Sequence, residues 1–558
     1  MIHTDIGEMS FFRSKRFDIA LVVTLLLGLF FAYPAFAVDR TPETTEEIKA
    51  YRNELIQRQY ARIDHIHEKP PVKIDSLKEL DQYAGKSHVH VKMEPGTYRI
   101  TPENLEQFAE VVSRKKQTTI KRSDGRDVFK VIPAKMGTLI DFSGHHSYFD
   151  LRGVEIKIDT RIQNDYADVL DINGRKHGIN EIRASGFGLM IVGLEITDVN
   201  RAEPGEKNYP TRSARTFSAS CKRSVFKDMH ITSRGSTPYG YSSFLGKGGP
   251  SLTRIQKHSA VQPGRGDNNV FIDFDITNRA FGHAISWARN NRLTFIGCRI
   301  EGAIRSTNAI YKETSGPAYE NDFKTHWGER IPRKMMISTG EDAFRAYRWP
   351  LPKGPREEGH IKILNCEVTK MRSGTAGDVS FNGTYFVSNT TLTKNTMKNF
   401  SVPSNSKVVN SRGDVRYAPL IHIKTAANNE YDLTVLPSPT PPDIKRMRVT
   451  LRRNLGIDVP RVAAIITGPG HEISLEAKKS LQIRGAKPVI LIGTNKRGAE
   501  DVVLKNNTKL PIWLHEDTEG CHVNTRGKVI ADNGNNNQIE RISELPQGLL
   551  TVGGLPSW

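Results

Sequence analysis

Cysteine is scarce in this chain of 558 residues: it has four, Cys221, Cys298, Cys366 and Cys521, and no two are close in sequence. Small exported domains that depend on disulfides carry many more, and structural zinc sites usually show paired Cys or His ligands at short spacing. The sequence therefore predicts neither a disulfide framework nor a structural zinc site.

Acidic residues are also in deficit, with 61 Asp and Glu against 80 Lys and Arg and a formal net charge of +19. Such an excess attracts polyanions through its long-range field. No nucleic-acid-binding module or continuous Lys/Arg tract is found, so we expect no nucleic-acid partner. Acidic polysaccharides or anionic cell surfaces are the expected partners, and the alternative is that the charge only confers solubility.

Long apolar runs are absent beyond the N-terminus. Residues 19–31 are apolar, follow three basic residues and precede a small-x-small site at 35–37. This pattern is typical of a signal peptide, so we expect residues 1–37 to be removed, with an uncleaved anchor as the alternative. The segment carries three basic and three acidic residues, so the charge of +19 belongs to the exported protein. We expect a secreted or periplasmic protein with no membrane span after cleavage.

A four-residue phrase recurs through the middle of the chain: Gly, Asn or Asp, then a core-sized residue, a free position and an aliphatic residue. The final aliphatics of two neighbouring pairs, Ile276/Ile300 and Val368/Leu392, are each 24 residues apart. That period is typical of one turn of a β-solenoid, and the turn-forming first residue allows a bend between two short strands. The seven phrases are 153–156, 193–196, 228–231, 273–276, 297–300, 365–368 and 389–392.

The repeat predicts an all-β protein whose residues 89–431 form a parallel β-helix. We expect residues 38–88 to form a helical cap or flank, and residues 432–558 to form a β segment of further coils or a small β cap. A β-sandwich is the alternative, but it requires no phrase at a near-constant period. The longer gaps between phrases should be one to three coils with inserted loops, which are the expected place for function.

Cys298 and Cys366 occupy the same position of the repeated phrase. We expect both to fill the core as small apolar side chains. The 68 residues between them suggest three coils of separation, too far for a disulfide bond.

Basic residues recur at nearly the coil spacing. His258 and His283 are 25 residues apart, and His283 and Arg305 are 22 apart. Residues one coil apart lie about 5 Å from each other on one face of a sheet. We therefore predict that Lys257, His258, His283 and Arg305 form one polar stripe and are the catalytic residues.

A stripe of Lys, His and Arg suits β-elimination from a uronate-containing polymer. A cation neutralises the sugar carboxylate, a base removes the C5 proton, and an acid protonates the departing glycosidic oxygen. His283 is the first choice for the base because its unperturbed pKa lies nearest the operating pH. His258 is the alternate base or acid, and Lys257 and Arg305 would stabilise negative charge.

Two further stretches are candidates for substrate binding. Residues 239–250 form a Gly-rich loop that is not a P-loop, because no Ser or Thr follows Lys247. In residues 340–348, Glu341 and Asp342 could bind a hydroxyl or a cation such as calcium, although no cofactor is firmly implied. The predicted substrate-binding residues, cations for carboxylates and aromatics for sugar rings, are Tyr239, Tyr241, Lys247, Arg265, Trp287, Arg289, Arg345, Tyr347 and Arg348.

The coils, the export signal and the basic stripe together resemble the right-handed parallel β-helix proteins of the pectate-lyase-like superfamily, particularly its polysaccharide lyases. The resemblance covers residues 89–423 and rests on repeat style. It implies a groove along one sheet that binds an extended anionic glycan. The WIDH segment of pectate lyases is absent, so calcium and pectate are not implied. The chain also has no Asp-Asp pair, and Gly282-His283-Ala284 stands in place of a GHG segment, which disfavours a two-carboxylate glycosidase.

The leading hypothesis is a monomeric polysaccharide lyase that acts on an acidic glycan such as alginate, a glycosaminoglycan or pectin. An epimerase or hydrolase on the same scaffold is the first alternative, and an epimerase would share the proton-abstraction step. A non-catalytic surface protein that binds acidic glycans is the second alternative.

Overall fold

The computed structural model describes residues 41–542 with internal gaps, so the predicted signal peptide lies outside the described residues. The ranges left undescribed are 1–40, 105–114, 122–126, 134–137, 163–178, 200–213, 236–239, 247–251, 253–256, 265, 289–291, 348–358, 378–380, 382, 446, 448–460, 478–487 and 543–558.

The first residue of every repeated phrase has a left-handed backbone conformation. The φ angles lie between +50° at Asn389 and +80° at Gly193, and the other five fall within this range. Only glycine, or a short polar side chain that bonds locally, visits this region readily. The Gly/Asn/Asp position is therefore the bend that separates two strands of each coil.

The last residue of every phrase stacks directly on the next. Ile156, Ile196 and Ile231 are register partners in series. The series continues through Ile276, Ile300, Val368 and Leu392. The seven phrases thus lie on seven consecutive coils, and gaps of 40, 35, 45 and 68 residues are each a single coil with an insertion.

Cys298 and Cys366 correct one expectation. Their strands are register neighbours, so the two thiols lie on adjacent coils rather than three coils apart. The spacing misled because residues 304–338 leave the coil as an insertion that begins and ends with an antiparallel strand pair. Both thiols are free and fully buried as core side chains. Burial, and then the neighbouring Cys366, raises the pKa of Cys298 well above its ordinary value.

The strands of successive coils stack into parallel columns, which confirms the predicted parallel β-helix. Column 1 consists of β1 (Val72–Ile74), β2 (His90–Met93), β7 (Tyr148–Asp150), β10 (Met190–Val192), β13 (Val225–Lys227), β16 (Asn269–Ile272), β19 (Arg292–Ile296), β24 (Gly359–Leu364) and β27 (Gly383–Ser388). Column 2 consists of β3 (Gly96–Ile100), β8 (Val154–Asp159), β11 (Glu195–Val199), β14 (His230–Ser233), β17 (Asp275–Asn278), β20 (Arg299–Glu301), β25 (Glu367–Thr369) and β28 (Thr391–Thr393).

Column 3 carries most of the candidate chemistry. It consists of β6 (Thr138–Phe142), β9 (Ile179–Ala184), β12 (Ala214–Ala219), β15 (His258–Gly264), β18 (Ile285–Ala288), β23 (Asp342–Tyr347) and β26 (Ser373–Ala376). Single parallel bridges, Ser373 to Lys398 and Phe400 to Ile421, continue it into β30. The continuing strands are β30 (Ile421–His422), β32 (Val462–Ile466), β35 (Val489–Ile492), β38 (Ile512–Leu514) and β41 (Val529–Asp532).

Columns 1 and 2 merge at β29 (Lys407–Gly413), which pairs with both β27 and β28. The merged column runs on through β31 (Glu430–Val435), β34 (Glu472–Ala477), β37 (Val503–Asn506), β40 (His522–Thr525) and β42 (Gln538–Arg541). The C-terminal segment therefore consists of further coils as far as residue 542, and the predicted boundary at 431/432 falls inside β31. Short strands β33 (Gly468–Pro469), β36 (Ala499–Glu500) and β39 (Thr518–Glu519) also pair in parallel.

Two antiparallel pairs lie outside the columns: β4 (Lys115–Lys121) with β5 (Asp127–Pro133), and β21 (Ile304–Ser306) with β22 (Met336–Ser338). The helices are α1 (Thr45–Arg62), a short 3-10 helix (Ile66–Glu68), α2 (Leu77–Ala84), α3 (Thr307–Ile310) and α4 (Pro317–Glu320). Among the described helices, none combines the length and the apolar character needed to cross a bilayer.

The predicted N-terminal cap or flank contains both kinds of helix. In α1, a capping box joins Thr44 and Glu47, each side chain accepting from the other's backbone N–H. Ile48 and Tyr51 of α1 pack on column 1 residues such as Leu364, so α1 lies along the side of the solenoid. By contrast, α2 inserts Leu80 into the main core beside β6, the edge strand of column 3. The shorter helix is therefore the element that covers a strand edge.

The left-handed bends can be tested at Asn365, where φ is +51°. We expect Asn365→Val to lower the free energy of unfolding by about 1–2 kcal/mol more than Asn365→Gly, because a β-branched side chain clashes in this region. Both variants lose the hydrogen bond from Asn389 Nδ2 to Asn365 Oδ1, so their difference isolates the backbone effect. Denaturant unfolding at constant m-value measures it, and equal midpoints would contradict the assigned bend.

Candidate active site

Register places the two halves of the predicted stripe on different sides of column 3. Val261 of β15 pairs with Ile285 of β18, so Ser259 lies opposite His283, and the His283 N–H donates to Ser259 Oγ at 3.4 Å. Successive side chains of a strand point to opposite faces. Lys257, two residues before Ser259, therefore shares a face with His283, whereas His258 does not.

Lys257 and His283 meet three residues of the next coil. The Lys257 ammonium forms an ion pair with Glu341, and its Nζ lies 3.4 Å from both His283 Nε2 and Tyr347 Oη. His283 Nε2 lies 3.0 Å from Glu341 Oε2 and forms a short hydrogen bond with Tyr347 Oη. We call Lys257, His283, Glu341, Asp342, Tyr347 and Arg372 the Tyr347 cluster.

Arg372 fixes the two carboxylates of this cluster. Its Nε and Nη2 donate to Asp342 at 2.9 and 2.6 Å, and its Nη1 donates to Glu341 Oε1 at 2.9 Å. Burial alone would raise the pKa of both carboxyls. Arg372 outweighs burial at Asp342, and His283, Arg372 and Lys257 outweigh it at Glu341, so both pKa values stay well below their usual range. Glu341 and Asp342 are thus permanently ionised counter-ions, which makes neither a proton donor.

The hydrogen bonds of His283 correct its predicted role as a base. The backbone N–H of Asp342 donates to His283 Nδ1 at 3.2 Å, so the neutral ring carries its proton on Nε2. Burial lowers the pKa of His283, which keeps the ring neutral near pH 7. The atom that faces Glu341 and Tyr347 is therefore a donor, and His283 has no lone pair directed at a substrate proton.

Tyr347 is the reactive group that this arrangement favours. Its oxygen receives hydrogen bonds from His283 Nε2–H and Lys257 Nζ, so its own hydrogen must point elsewhere. Burial raises the pKa of Tyr347 to about 12, and the phenol is protonated at neutral pH. The Arg345 guanidinium lies 4.8 Å from the centre of the Tyr347 ring. The half-buried phenol can thus donate a proton while its neighbours stabilise the resulting anion.

A row of cations continues from this cluster along column 3. Ser373 is the register partner of both Asp342 and Lys398, so Lys398 lies two coils beyond Asp342. Burial, with a further contribution from nearby cations, lowers the pKa of Lys398 to about 8. His422, one strand further, has its pKa lowered to about 3 by burial and then by Lys398, Lys424 and Arg497. We call Arg345, Lys398, His422, Lys424 and Arg497 the cationic row.

His258 belongs to a separate buried group. Its Nε2 lies 2.8 Å from Thr216 Oγ1, 3.3 Å from Asp198 Oδ2 and 3.8 Å from Glu181 Oε1. The prediction that His258 shares a stripe with His283 is wrong, because their spacing of 25 residues is one more than the register offset of 24. A shift of one residue moves a side chain to the other face of the sheet.

Arg305 is also absent from the predicted stripe. It lies on β21, outside column 3, and forms an ion pair with Glu313 of the same insertion. The strand that follows β18 in column 3 begins at Asp342, 59 residues after His283, because the insertion intervenes. Tyr241 packs into this insertion: its hydroxyl donates to Glu313 Oε2 at 2.8 Å, and its ring is buried, so it cannot stack on a sugar.

Trp287 is wrong as a sugar-stacking residue, because it is fully buried in the main core. Its ring centre lies 5.9 Å from that of Phe295 and 6.0 Å from that of Tyr385. Arg345 and Tyr347, by contrast, lie beside Lys257 and His283 rather than across a groove from them. Five predicted substrate-binding residues fall outside the described residues: Tyr239, Lys247, Arg265, Arg289 and Arg348.

Sequence reasoning missed Arg372, Lys398, His422, Glu181 and Asp198. Lys398 and His422 are 24 residues apart, the period of the repeated phrase, so the same spacing argument could have found them. No sequence signal marks Arg372, whose role depends on the two carboxylates that it contacts.

No protein-family model matches this chain, and no curated protein matches it. The solved structures similar to it include a PL6 alginate lyase in complex with a trisaccharide, at 10% identity and a TM-score of 0.37 over 83% of this chain and 89% of that one. They also include a hyperthermoactive exopolygalacturonase from Thermotoga maritima, at 8% identity and a TM-score of 0.24 over 89% of this chain and 86% of that one. Similarities this low transfer no residue role to this chain.

Proposed function

We propose that this protein cleaves an acidic, uronate-containing polysaccharide by β-elimination, with Tyr347 as the proton donor. The observation that carries the proposal is the Tyr347 hydroxyl, held by Lys257 and His283 so that its hydrogen is directed away from both. A protonated group with two donors behind it suits protonation of a departing oxygen, because the anion left behind is stabilised at once.

Lys398 is the proposed base. A lysine whose pKa is about 8 is partly an uncharged amine near neutral pH, and only that form accepts a proton. Lys398 lies two coils from Asp342 along column 3, about 10 Å at one strand spacing per coil. A sugar ring spanning that interval would present C5 to Lys398 and the glycosidic oxygen to Tyr347.

The step balances without a cofactor. The Lys398 amine takes the C5 proton, the C4–O bond breaks as the C4=C5 double bond forms, and the departing oxygen takes the Tyr347 proton. Arg345, within reach of both groups, would neutralise the sugar carboxylate, which makes the C5 proton more acidic. Solvent then returns Lys398 and Tyr347 to their starting protonation states.

The cationic row supports a polymeric acidic substrate. Among the described residues, no carboxylate forms an ion pair with Lys398 or Lys424. A uronate chain carries one carboxylate per sugar, so successive sugars could each meet a cation along the column. Glycoside hydrolysis is disfavoured because it needs a protonatable carboxyl group, and Glu341 and Asp342 are held ionised by Arg372.

Tyr347→Phe tests the proton donor on a panel of alginate, pectate and glycosaminoglycans. We expect the wild-type protein to generate the ultraviolet absorbance of the unsaturated product, and Tyr347→Phe to lower kcat/KM by about 10²–10⁴. The matched control is Tyr241→Phe, which removes a buried hydroxyl from the insertion and should leave the rate unchanged. New reducing ends without that absorbance would establish hydrolysis instead. Solvent deuterium at C5 without cleavage would establish epimerisation, and binding without chemistry would leave a glycan-binding protein.

The pH profile tests the base. Because Lys398 must be neutral to act, kcat/KM should rise with pH to a midpoint near 8 and fall only as Tyr347 deprotonates near 12. Lys398→Arg keeps the charge but cannot lose its proton, so we expect it to abolish turnover while substrate binding persists. Lys424→Arg is the control and should keep the same profile. An unchanged profile in Lys398→Arg would exclude Lys398 as the base.

A further inference from the structure

A buried group of three ionisable side chains lies where columns 2 and 3 meet. Glu181 is on β9, Asp198 on β11 and His258 on β15, and each is at most 1% exposed. One side-chain ligand atom from each lies within 4.8 Å of the other two. We call Glu181, Asp198 and His258 the buried triad.

The spacing within the triad matches a metal coordination sphere. Metal–ligand bonds to His and carboxylate are about 2.0–2.2 Å, which places neighbouring ligand atoms roughly 3–4 Å apart. The distances from His258 Nε2 to Asp198 Oδ2 and Glu181 Oε1 are 3.3 and 3.8 Å. Thr216 Oγ1, at 2.8 Å from Nε2, is a further oxygen at the same place.

The orientation of His258 is fixed from the opposite side of its ring. A Cβ atom at Gly235 would lie 1.9 Å from His258 Nδ1, so the glycine backbone closes directly over that edge. The ring therefore cannot turn without moving the chain at Gly235, and Nε2 stays directed at the carboxylates. A ligand nitrogen held in this way is preorganised for a metal ion.

Charge gives an independent reason for a cation. Two buried carboxylates require compensation, and a single histidine can supply at most one positive charge. Asp198 Oδ2 accepts backbone N–H groups of Arg234 and Gly235 at 2.7 and 3.2 Å. The other oxygen, Asp198 Oδ1, is fully buried and has no hydrogen-bond partner among the described residues. The nearby Arg215 directs its guanidinium to Asn180 instead.

We propose that Glu181, Asp198 and His258 bind one divalent transition-metal ion, such as Zn²⁺ or Mn²⁺, that joins column 2 to column 3. One imidazole with two carboxylates favours these ions over Ca²⁺ or Mg²⁺, which prefer oxygen ligands alone. The site is closed to solvent, so the ion stabilises the fold rather than taking part in catalysis. It is separate from the Tyr347 cluster, because His258 and Lys257 face opposite sides of the sheet.

The test compares metal content and thermal stability in the full-length protein. After chelator treatment, added Zn²⁺ or Mn²⁺ should bind at one equivalent per chain and raise Tm by several degrees, since a ligand that binds only the folded state stabilises it. Asp198→Asn and His258→Gln should abolish both the bound equivalent and the Tm shift. A failure of the metal-free protein to bind either ion would overturn the proposal.

An exposed group, His65, His67 and Glu68, could also hold a metal ion and must be separated from the triad. His67→Ala removes that group and should keep both the bound equivalent and the Tm shift. Loss of both in His67→Ala, with retention in Asp198→Asn, would place the metal at the exposed group and refute the proposal.

A measurement without triad variants covers the case in which these do not fold. X-ray absorption of the zinc-loaded His67→Ala protein should show one nitrogen among oxygen ligands. A shell of oxygen alone, or one that contains sulfur, would contradict the assignment.

Discussion

In-register stacking of coils is the constraint on which the rest of this structure depends. Hydrogen bonds between parallel strands hold Ile156, Ile196, Ile231 and Ile276 in one line, and a slip of one residue would turn every core side chain outward. Long insertions are tolerated because each leaves and rejoins the column at a bend. The same register decides which polar residues meet, whatever their separation in sequence.

The Tyr347 cluster shows this dependence most directly. His283 and Asp342 are 59 residues apart in sequence but one coil apart in space. Bringing two carboxylates into a buried site is costly unless cations accompany them, and Arg372 and Lys257 fulfil that need. With both carboxylates neutralised, Tyr347 remains as the protonated group that can react.

Sequence periodicity predicted the bends, the ladder of aliphatics and the parallel β-helix, because backbone sterics and core burial act on nearly every coil. It predicted less of the site, since sidedness requires the register to the exact residue. Adjacent Lys257 and His258 reach different clusters, and the estimate of one coil between His283 and Arg305 failed at an insertion. Trp287 misled because the strand pattern cannot tell an aromatic in the core from one in a groove.

The distribution of charge along column 3 favours an anionic partner for this face. Lys398, His422 and Lys424 lie close enough that each disfavours the protonated form of its neighbour, and burial adds to the effect. An uncharged glycan would leave that mutual repulsion in place, because it brings no countercharge. A chain of carboxylates would relieve it at several coils together, so the gain grows with the number of sugars bound. The cationic row therefore discriminates by charge and by length, as the proposed polymeric substrate requires.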